Sequence, residues 1–122
     1  MKEYNVEFFE NDSGQYPAEA YINSLDAKLS AKVYRTLVML EDNGSELREP
    51  YSKHLDDGIF EVRVRVATNS ARVLYFFHIG KRVILTHGFT KKTQKTPPSE
   101  IERAKKYRRD FLEREARKDE DS

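Results

Sequence analysis

The sequence predicts an α+β domain in which a mainly antiparallel sheet is covered by helices. Four short stretches bounded by turn residues have the composition of strands, and in two of them apolar and polar residues alternate strictly. Between the first and second stretches, apolar residues recur at helical spacing. A chain of 122 residues is long enough to bury roughly two-thirds of its unfolded surface. One compact domain is therefore expected.

The first part of the chain is predicted to form a strand and two helices. Residues 2–9 alternate apolar and polar side chains, as a strand with one buried face does. Pro17 suits the first turn of a helix, where its missing N–H costs nothing. Asp26 is a suitable N-cap for a second helix, and Asn43-Gly44 would end it. The second helix has one apolar stripe, formed by Leu29, Val33, Leu37 and Leu40. We expect both helices to pack on one face of the sheet.

The middle of the chain is predicted to be a loop followed by three strands. Residues 45–58 are polar, and Pro50 and Asp57-Gly58 are typical turn residues. The strands are expected over residues 59–66, 72–79 and 82–89.

Turn lengths decide which side chains of these strands share a face. If the turn near Asn69 has two or four residues, Arg63 lies opposite Phe76 or Leu74, and a three-residue turn reverses the face. A two-residue turn at Gly80-Lys81 places the odd-numbered residues of the last strand on the same face as Arg63. The predicted shared face comprises Arg63, Arg65, Arg72, His78, Val83, Leu85, His87 and Phe89. Such a face is apolar in the middle and cationic at its rim.

A charged helix is predicted at the C-terminus. Thr96 or Ser99 can cap it, with Pro in the first turn. Its apolar seam is narrow and consists of Ile101, Ala104, Tyr107 and Phe111. We therefore predict a single domain over residues 1–112, including the start of this helix, and a charged, frayed tail over residues 113–122.

Charge is distributed unevenly along the chain. The sequence holds 22 Lys and Arg against 21 Asp and Glu, yet residues 62–99 contain eight basic residues and no acidic one. Clustered cations bind polyanions whatever the total charge. This segment therefore predicts contact with a polyanion, and RNA fits best. The alternative is a solvated basic surface.

Several classes of site have no support in the sequence. There is no Cys, so no disulfide framework or thiolate metal site is expected. There is also no Gly-rich phosphate loop, no Ser elbow and no pair of His at helical metal spacing. His54, His78 and His87 are scattered over three segments, so we expect no metal and no cofactor. With neither a signal peptide nor a transmembrane stretch in view, we expect a cytoplasmic protein.

Short motifs follow one another in the second half of the chain. They are Lys53 before Gly58-Ile59-Phe60-Glu61-Val62-Arg63, then Arg72-Val73-Leu74-Tyr75-Phe76, His87-Gly88-Phe89 and Lys91-Lys92-Thr93-Gln94-Lys95-Thr96-Pro97. With the order of strand, two helices and three strands, they resemble the RelE/ParE toxin superfamily. Within it, the resemblance is to the HigB-like, phage-associated toxins of type II toxin–antitoxin systems. It covers about residues 3 to 112.

The resemblance implies a RelE-like β-α-α-β-β-β fold and a function. Toxins of this kind are ribosome-dependent mRNA endonucleases, or mRNA interferases, that inhibit translation. They need no metal, because the ribose 2′-OH attacks the adjacent phosphate. The implied partners are mRNA, the ribosomal A site with its rRNA, and a helix-turn-helix antitoxin of the HigA type in a heterotetramer. No membrane partner is implied.

The resemblance also assigns site residues by position. Arg63 and Arg72 are expected to contact phosphate or the transition state, and Lys91 or Lys92 to transfer a proton if neighbouring cations lower its pKa. The predicted catalytic residues are thus Arg63, Arg72, Lys91 and Lys92, and the predicted RNA-binding residues are Lys53, His54, Arg65 and Lys95. Two other functions stay open: a ParE-like inhibitor of DNA gyrase, and a non-catalytic RNA-binding module of the same fold.

Overall fold

Two layers of helices enclose a sheet in the computed structural model, which describes residues 2–90 and 95–121. Within these residues the chain forms a five-stranded sheet and three α-helices. In chain order they are β1 (Asn5–Phe8), α1 (Pro17–Ser24), α2 (Ala27–Asn43), a 3₁₀ turn (Gly44–Glu46), β2 (Ser52–Asp56), β3 (Ile59–Val66), β4 (Asn69–His78), β5 (Arg82–Thr90) and α3 (Pro98–Asp121). The strand order is β1-β5-β4-β3-β2, and only the β1–β5 pair is parallel. The predicted RelE-like α+β class is confirmed.

The sheet has one strand more than the sequence predicts. The expectation of a loop throughout residues 45–58 is wrong, because Ser52–Asp56 forms β2 and pairs antiparallel with β3. This edge strand is polar, so it has no apolar alternation by which to be recognised. It forms because its backbone can hydrogen-bond to the otherwise open edge of β3. Asp57 and Gly58, both with positive φ, form the two-residue turn of the hairpin.

Helices α1 and α2 cover one face of the sheet, as predicted. Their buried apolar residues pack with inward-facing residues of β3, β4 and β5. The Asp26 carboxylate accepts a hydrogen bond from the Leu29 N–H at 3.0 Å, so the predicted N-cap is confirmed; such a cap contributes about 1 kcal/mol. Gly44, with φ of 53°, follows the last turn of α2.

Helix α3 covers the opposite face. Ala104 and Phe111 pack with apolar residues of the sheet such as Phe76 and Ile84. The helix continues through the residues for which a frayed tail is predicted, and Glu115 lies 3.4 Å from the Arg82 guanidinium. It is 24 residues long but heavily charged. Across residues 2–90 and 95–121, no helix has the length and apolar content of a membrane span.

The β3–β4 turn sets a register different from the predicted one. Val66 pairs with Asn69, so Arg63 lies opposite Arg72 and not opposite Phe76 or Leu74. The turn falls two residues earlier than expected. The pairing partners on β4 therefore change by an even number of residues, so every side chain stays on its predicted face of the sheet. The predicted sharing of one face by the cations of β3 and β4 is therefore confirmed.

The β4–β5 connection has three residues, because His78 pairs with Arg82. The prediction that Val83 and Leu85 share the cationic face is wrong: the odd turn length moves both onto the α1–α2 side, where they are buried. A bulge then inserts Thr86, since Tyr75 pairs with Leu85 but Leu74 with His87. The extra residue returns the rest of β5 to the predicted face, so His87 and Phe89 lie there as expected.

The Tyr21 ring of α1 packs closely against Gly88 of β5. A Cβ at Gly88 would lie 2.2 Å from the Tyr21 ring and 2.8 Å from the Arg72 carbonyl oxygen. The Tyr21 hydroxyl forms a hydrogen bond with Thr90 Oγ1 at 3.0 Å. Glycine is thus required at position 88 for steric reasons.

Gly88→Ala is expected to destabilise the fold by about 2 kcal/mol, because a side chain there overpacks the contact between α1 and β5. Urea unfolding measures the change. Gly80→Ala is the control: nothing lies within 4 Å of its Cβ position, and only the positive φ of 77° costs about 1 kcal/mol. Equal stability of the two variants would contradict the steric account.

Candidate nucleic-acid interface

A cleft of about 420 Å³ opens between β2, β3 and the residues that lead into α3. Its walls bring together residues that are far apart in the sequence: Lys53, His54, Leu55, Glu61, Arg63, Lys95, Thr96 and Ile101. Four of these were predicted as site residues: Lys53, His54, Arg63 and Lys95. Pairing of β2 with β3 places Lys53 beside Glu61, and Thr96 donates its hydroxyl to the Glu61 carboxylate. These two links connect β3 to β2 and to the segment before α3.

Two arginines face each other beside the cleft. Arg63 and Arg72 are direct partners in the β3–β4 ladder, an arrangement that is unfavourable for like charges. Glu61 offsets the repulsion, because its Oε2 lies 3.4 Å from Arg63 Nε and 3.7 Å from Arg72 Nε. Arg63 Nη1 also lies 4.0 Å from the exposed Glu49. The result is a cationic pair held around one carboxylate.

Arg72 differs from Arg63 in its burial. It is 8% exposed and does not line the cleft directly. Burial lowers the pKa of Arg72, the Glu61 carboxylate opposes this shift, and the Arg63 cation adds to it. Among the described residues, Arg72 Nε has no hydrogen-bond partner, since the Glu61 oxygen is too far away for one. The buried cation thus contributes a strong positive field next to Arg63.

Lys53 and His54 enter the cleft wall from β2. Lys53 is exposed. The His54 ring packs edge-on against Phe60, with 4.9 Å between ring centroids, and its Nε2 accepts the Gly58 N–H at 3.1 Å. An accepting Nε2 leaves the ring proton on Nδ1. The His54 ring therefore stabilises the β2–β3 turn and lies with Phe60 on the sheet face opposite Glu61.

The remaining predicted residues fall elsewhere. Arg65 lies nearer the β3–β4 turn, where its Nε donates to the Ala67 carbonyl at 3.0 Å and its own carbonyl accepts from Lys32; it does not line the cleft. Lys91 and Lys92 lie outside the described residues. The structure thus groups Lys53, His54, Arg63 and Lys95 and sets Arg65 apart.

Sequence reasoning did not assign the two other polar residues of this cleft, Glu61 and Thr96, to the site. In the sequence, Glu61 stands out only as part of the motif Gly58-Ile59-Phe60-Glu61-Val62-Arg63, and Thr96 only as a possible helix cap. Both are buried. One signal was available: Glu61 is the last acid before the acid-free residues 62–99, so the next residue on its face of β3 is a cation, Arg63.

His87 is a structural link and not part of the cleft. It is buried, its Nδ1 contacts Thr86 Oγ1 at 3.1 Å, and its Nε2 contacts Glu100 Oε1 at 3.2 Å. Burial lowers the pKa of His87 to about 4, and the Arg103 cation acts in the same direction. The neutral ring thus ties β5 to α3. Among residues 2–90 and 95–121, no three His, Asp or Glu side chains group as a metal site would require.

This histidine predicts a pH dependence of stability. The pKa of His87 is about 4 in the folded chain and about 6.5 when unfolded, so the unfolded state binds more protons between these values. Stability should therefore fall as the pH drops through that window, by about 2 kcal/mol at pH 5. Urea unfolding at pH 7 and pH 5 measures the loss, which should shrink in His87→Gln. An equal loss in His87→Gln and wild type would contradict the assignment.

Comparison with known proteins identifies the family. A family model described as Phage derived protein Gp49-like (DUF891) matches residues 20–109. The match covers about three-quarters of the 122 residues and extends from α1 into α3, so it includes the whole cleft. A comparison with curated proteins gives no match. The chain belongs to the Gp49-like family of phage-derived proteins, a family of RelE/ParE-like toxins.

Proposed function

We propose that this chain is a HigB-like toxin of a type II toxin–antitoxin system, a ribosome-dependent mRNA endonuclease that inhibits translation. The observation that carries the proposal is the cleft, where Lys53, Arg63 and Lys95 converge from three segments. Membership of a family of RelE/ParE-like toxins supports the toxin function.

The cleft suits the phosphodiester backbone of RNA. An arginine presents a bidentate fork to phosphate and a lysine a point charge. Arg63 supplies the first, while Lys53 of β2 and Lys95 of the segment before α3 supply the second. Such contacts hold a strand in place without reading its bases. Codon preference would then arise from the ribosome and its message, not from these cations.

The proposed reaction is an internal displacement at phosphorus. The ribose 2′-oxygen forms a bond to the adjacent phosphorus, the bond to the 5′-oxygen breaks, and a 2′,3′-cyclic phosphate and a 5′-hydroxyl result. One group must take the 2′ proton and another must protonate the leaving oxygen. The intermediate carries extra negative charge, which Arg63 and the buried Arg72 would stabilise. The scheme uses no metal ion and no cofactor.

Proton transfer is proposed for Lys91 or Lys92. This assignment comes from the resemblance to RelE-like toxins, in which cationic residues stand at the end of the last strand. A lysine surrounded by other cations loses its proton more readily, and a neutral amine can act as a base. In the sequence, Lys91 and Lys92 are adjacent to each other and close to Lys95.

The proposed partners follow from the same function. The chain would act in the cytoplasm, in the A site of a translating ribosome, on mRNA and beside rRNA. A helix-turn-helix antitoxin of the HigA type would neutralise it in a heterotetramer. Masking of the cationic cleft by acidic residues of the antitoxin would favour such a complex electrostatically.

Expression of the chain without an antitoxin is expected to arrest growth and to cut translated messages. Arg63→Ala should lower the cleavage rate by about 100-fold, because it removes a donor aimed at the developing charge. Cleavage of mRNA in a purified translation system measures this effect. Arg117→Ala removes an exposed arginine of α3 and should cleave as the wild type does.

The same assays separate the other functions. Intact messages together with loss of DNA supercoiling by gyrase would indicate a ParE-like inhibitor. RNA that is bound but never cut would indicate a non-catalytic module. Unchanged cleavage by Arg63→Ala would contradict the site assignment even if the activity itself is found.

A further inference from the structure

Glu61 is an acid enclosed by the cationic part of the fold. We infer that Glu61 is the positioning residue of the cleft: its carboxylate sets the guanidinium groups of Arg63 and Arg72 side by side and ties Thr96 to the sheet. The expected effect of Glu61 on cleavage rests on the proposed function. The geometry around Glu61 is independent of that function.

The two carboxylate oxygens of Glu61 have separate partners. Oε1 accepts the Thr96 hydroxyl. Oε2 faces both arginines, 3.4 Å from Arg63 Nε and 3.7 Å from Arg72 Nε. Glu61 is only 1% exposed. One side chain therefore connects β3, β4 and the segment before α3, which are the elements that carry the cations.

Burial explains why this carboxylate is paired so completely. A buried charge is costly unless cations and hydrogen-bond donors surround it. Here two cations and one hydroxyl do so. In turn, Arg63 and Arg72 repel each other as direct ladder partners, so both keep their places only with an anion between them.

The contact leaves Arg63 able to bind phosphate. Glu61 lies nearest Arg63 at Nε, whereas the Nη1 and Nη2 pair of a guanidinium forms the bidentate fork. Because Glu61 is enclosed, it acts on RNA through Arg63 and Arg72 and does not touch the strand itself. Removal of its charge should therefore disturb the geometry of the reaction more than the attraction for RNA.

A different result is expected if Glu61 only stabilises the fold. In that case its replacement would lower the folded fraction, and binding and cleavage would fall together. A positioning role separates the two, because the cleft would lose one negative charge and would attract RNA at least as well as before. The ratio of cleavage to binding thus distinguishes the two roles.

The first test uses Glu61→Gln, which keeps an acceptor for Thr96 and removes the charge. Its single-turnover cleavage rate on ribosomes should fall by roughly 10- to 100-fold. Its affinity for ribosomes carrying a message with 2′-O-methyl ribose throughout should equal or exceed that of the wild type. Glu115→Gln, which alters an acid paired with Arg82, is the matched control and should change neither quantity. Wild-type cleavage by Glu61→Gln, or an equal loss of binding and cleavage, would overturn the inference.

The second test needs no RNA. Hydrogen exchange of the Arg63 Nε–H, measured by ¹⁵N NMR, should be slow in the wild-type chain and clearly faster in Glu61→Gln, while that of the exposed Arg117 should be fast in both. An equal rate for Arg63 in the two chains would overturn the inference. If the wild type leaves RNA intact, the proposed function fails, and this measurement still decides the role of Glu61.

Discussion

The register between β3 and β4 places Arg63 directly opposite Arg72, and the arrangement of the site depends on this pairing. Two guanidinium groups at adjacent positions repel each other, and one of them is buried. Such a pair is stable only with an anion within reach, and Glu61 is that anion. Because Glu61 also binds Thr96, the same carboxylate draws the start of the last helical segment to the cleft. The repulsion between Arg63 and Arg72 thus determines where the walls of the cleft meet.

The sheet face that carries this pair has an apolar part and a polar part. Under α3, the face is apolar and forms a core with residues such as Phe76 and Phe111. Toward β2, it becomes polar and opens into the cleft. Ion pairs of α3 with the β2–β3 turn, Lys105 with Asp56 and Arg108 with Asp57, mark the boundary. The helix therefore stabilises the fold and leaves the cleft that Lys53, Arg63 and Lys95 line open.

Local periodicity was enough to predict α2 and β3, because each has its own apolar pattern and, for α2, its own cap. It was not enough for β2, a polar strand that exists only because β3 has an open edge. Nor could the sequence reveal the three-residue β4–β5 connection and the bulge at Thr86, which decide the faces of Val83 and Leu85. The burial of Glu61 escaped prediction for a similar reason: it depends on contacts with β4 and with Thr96, which are distant in the chain.

The most direct test of the account is the chemistry of the ends that this chain leaves on a translated message. Attack by the 2′-hydroxyl, with the cleft stabilising the charged intermediate, must leave a 2′,3′-cyclic phosphate on the upstream fragment and a 5′-hydroxyl on the downstream one. Sequencing that is selective for these ends, on messages from a purified translation system, should recover both products with the wild-type chain. Fragments ending in a 3′-hydroxyl and a 5′-phosphate, or messages left intact, would contradict the account.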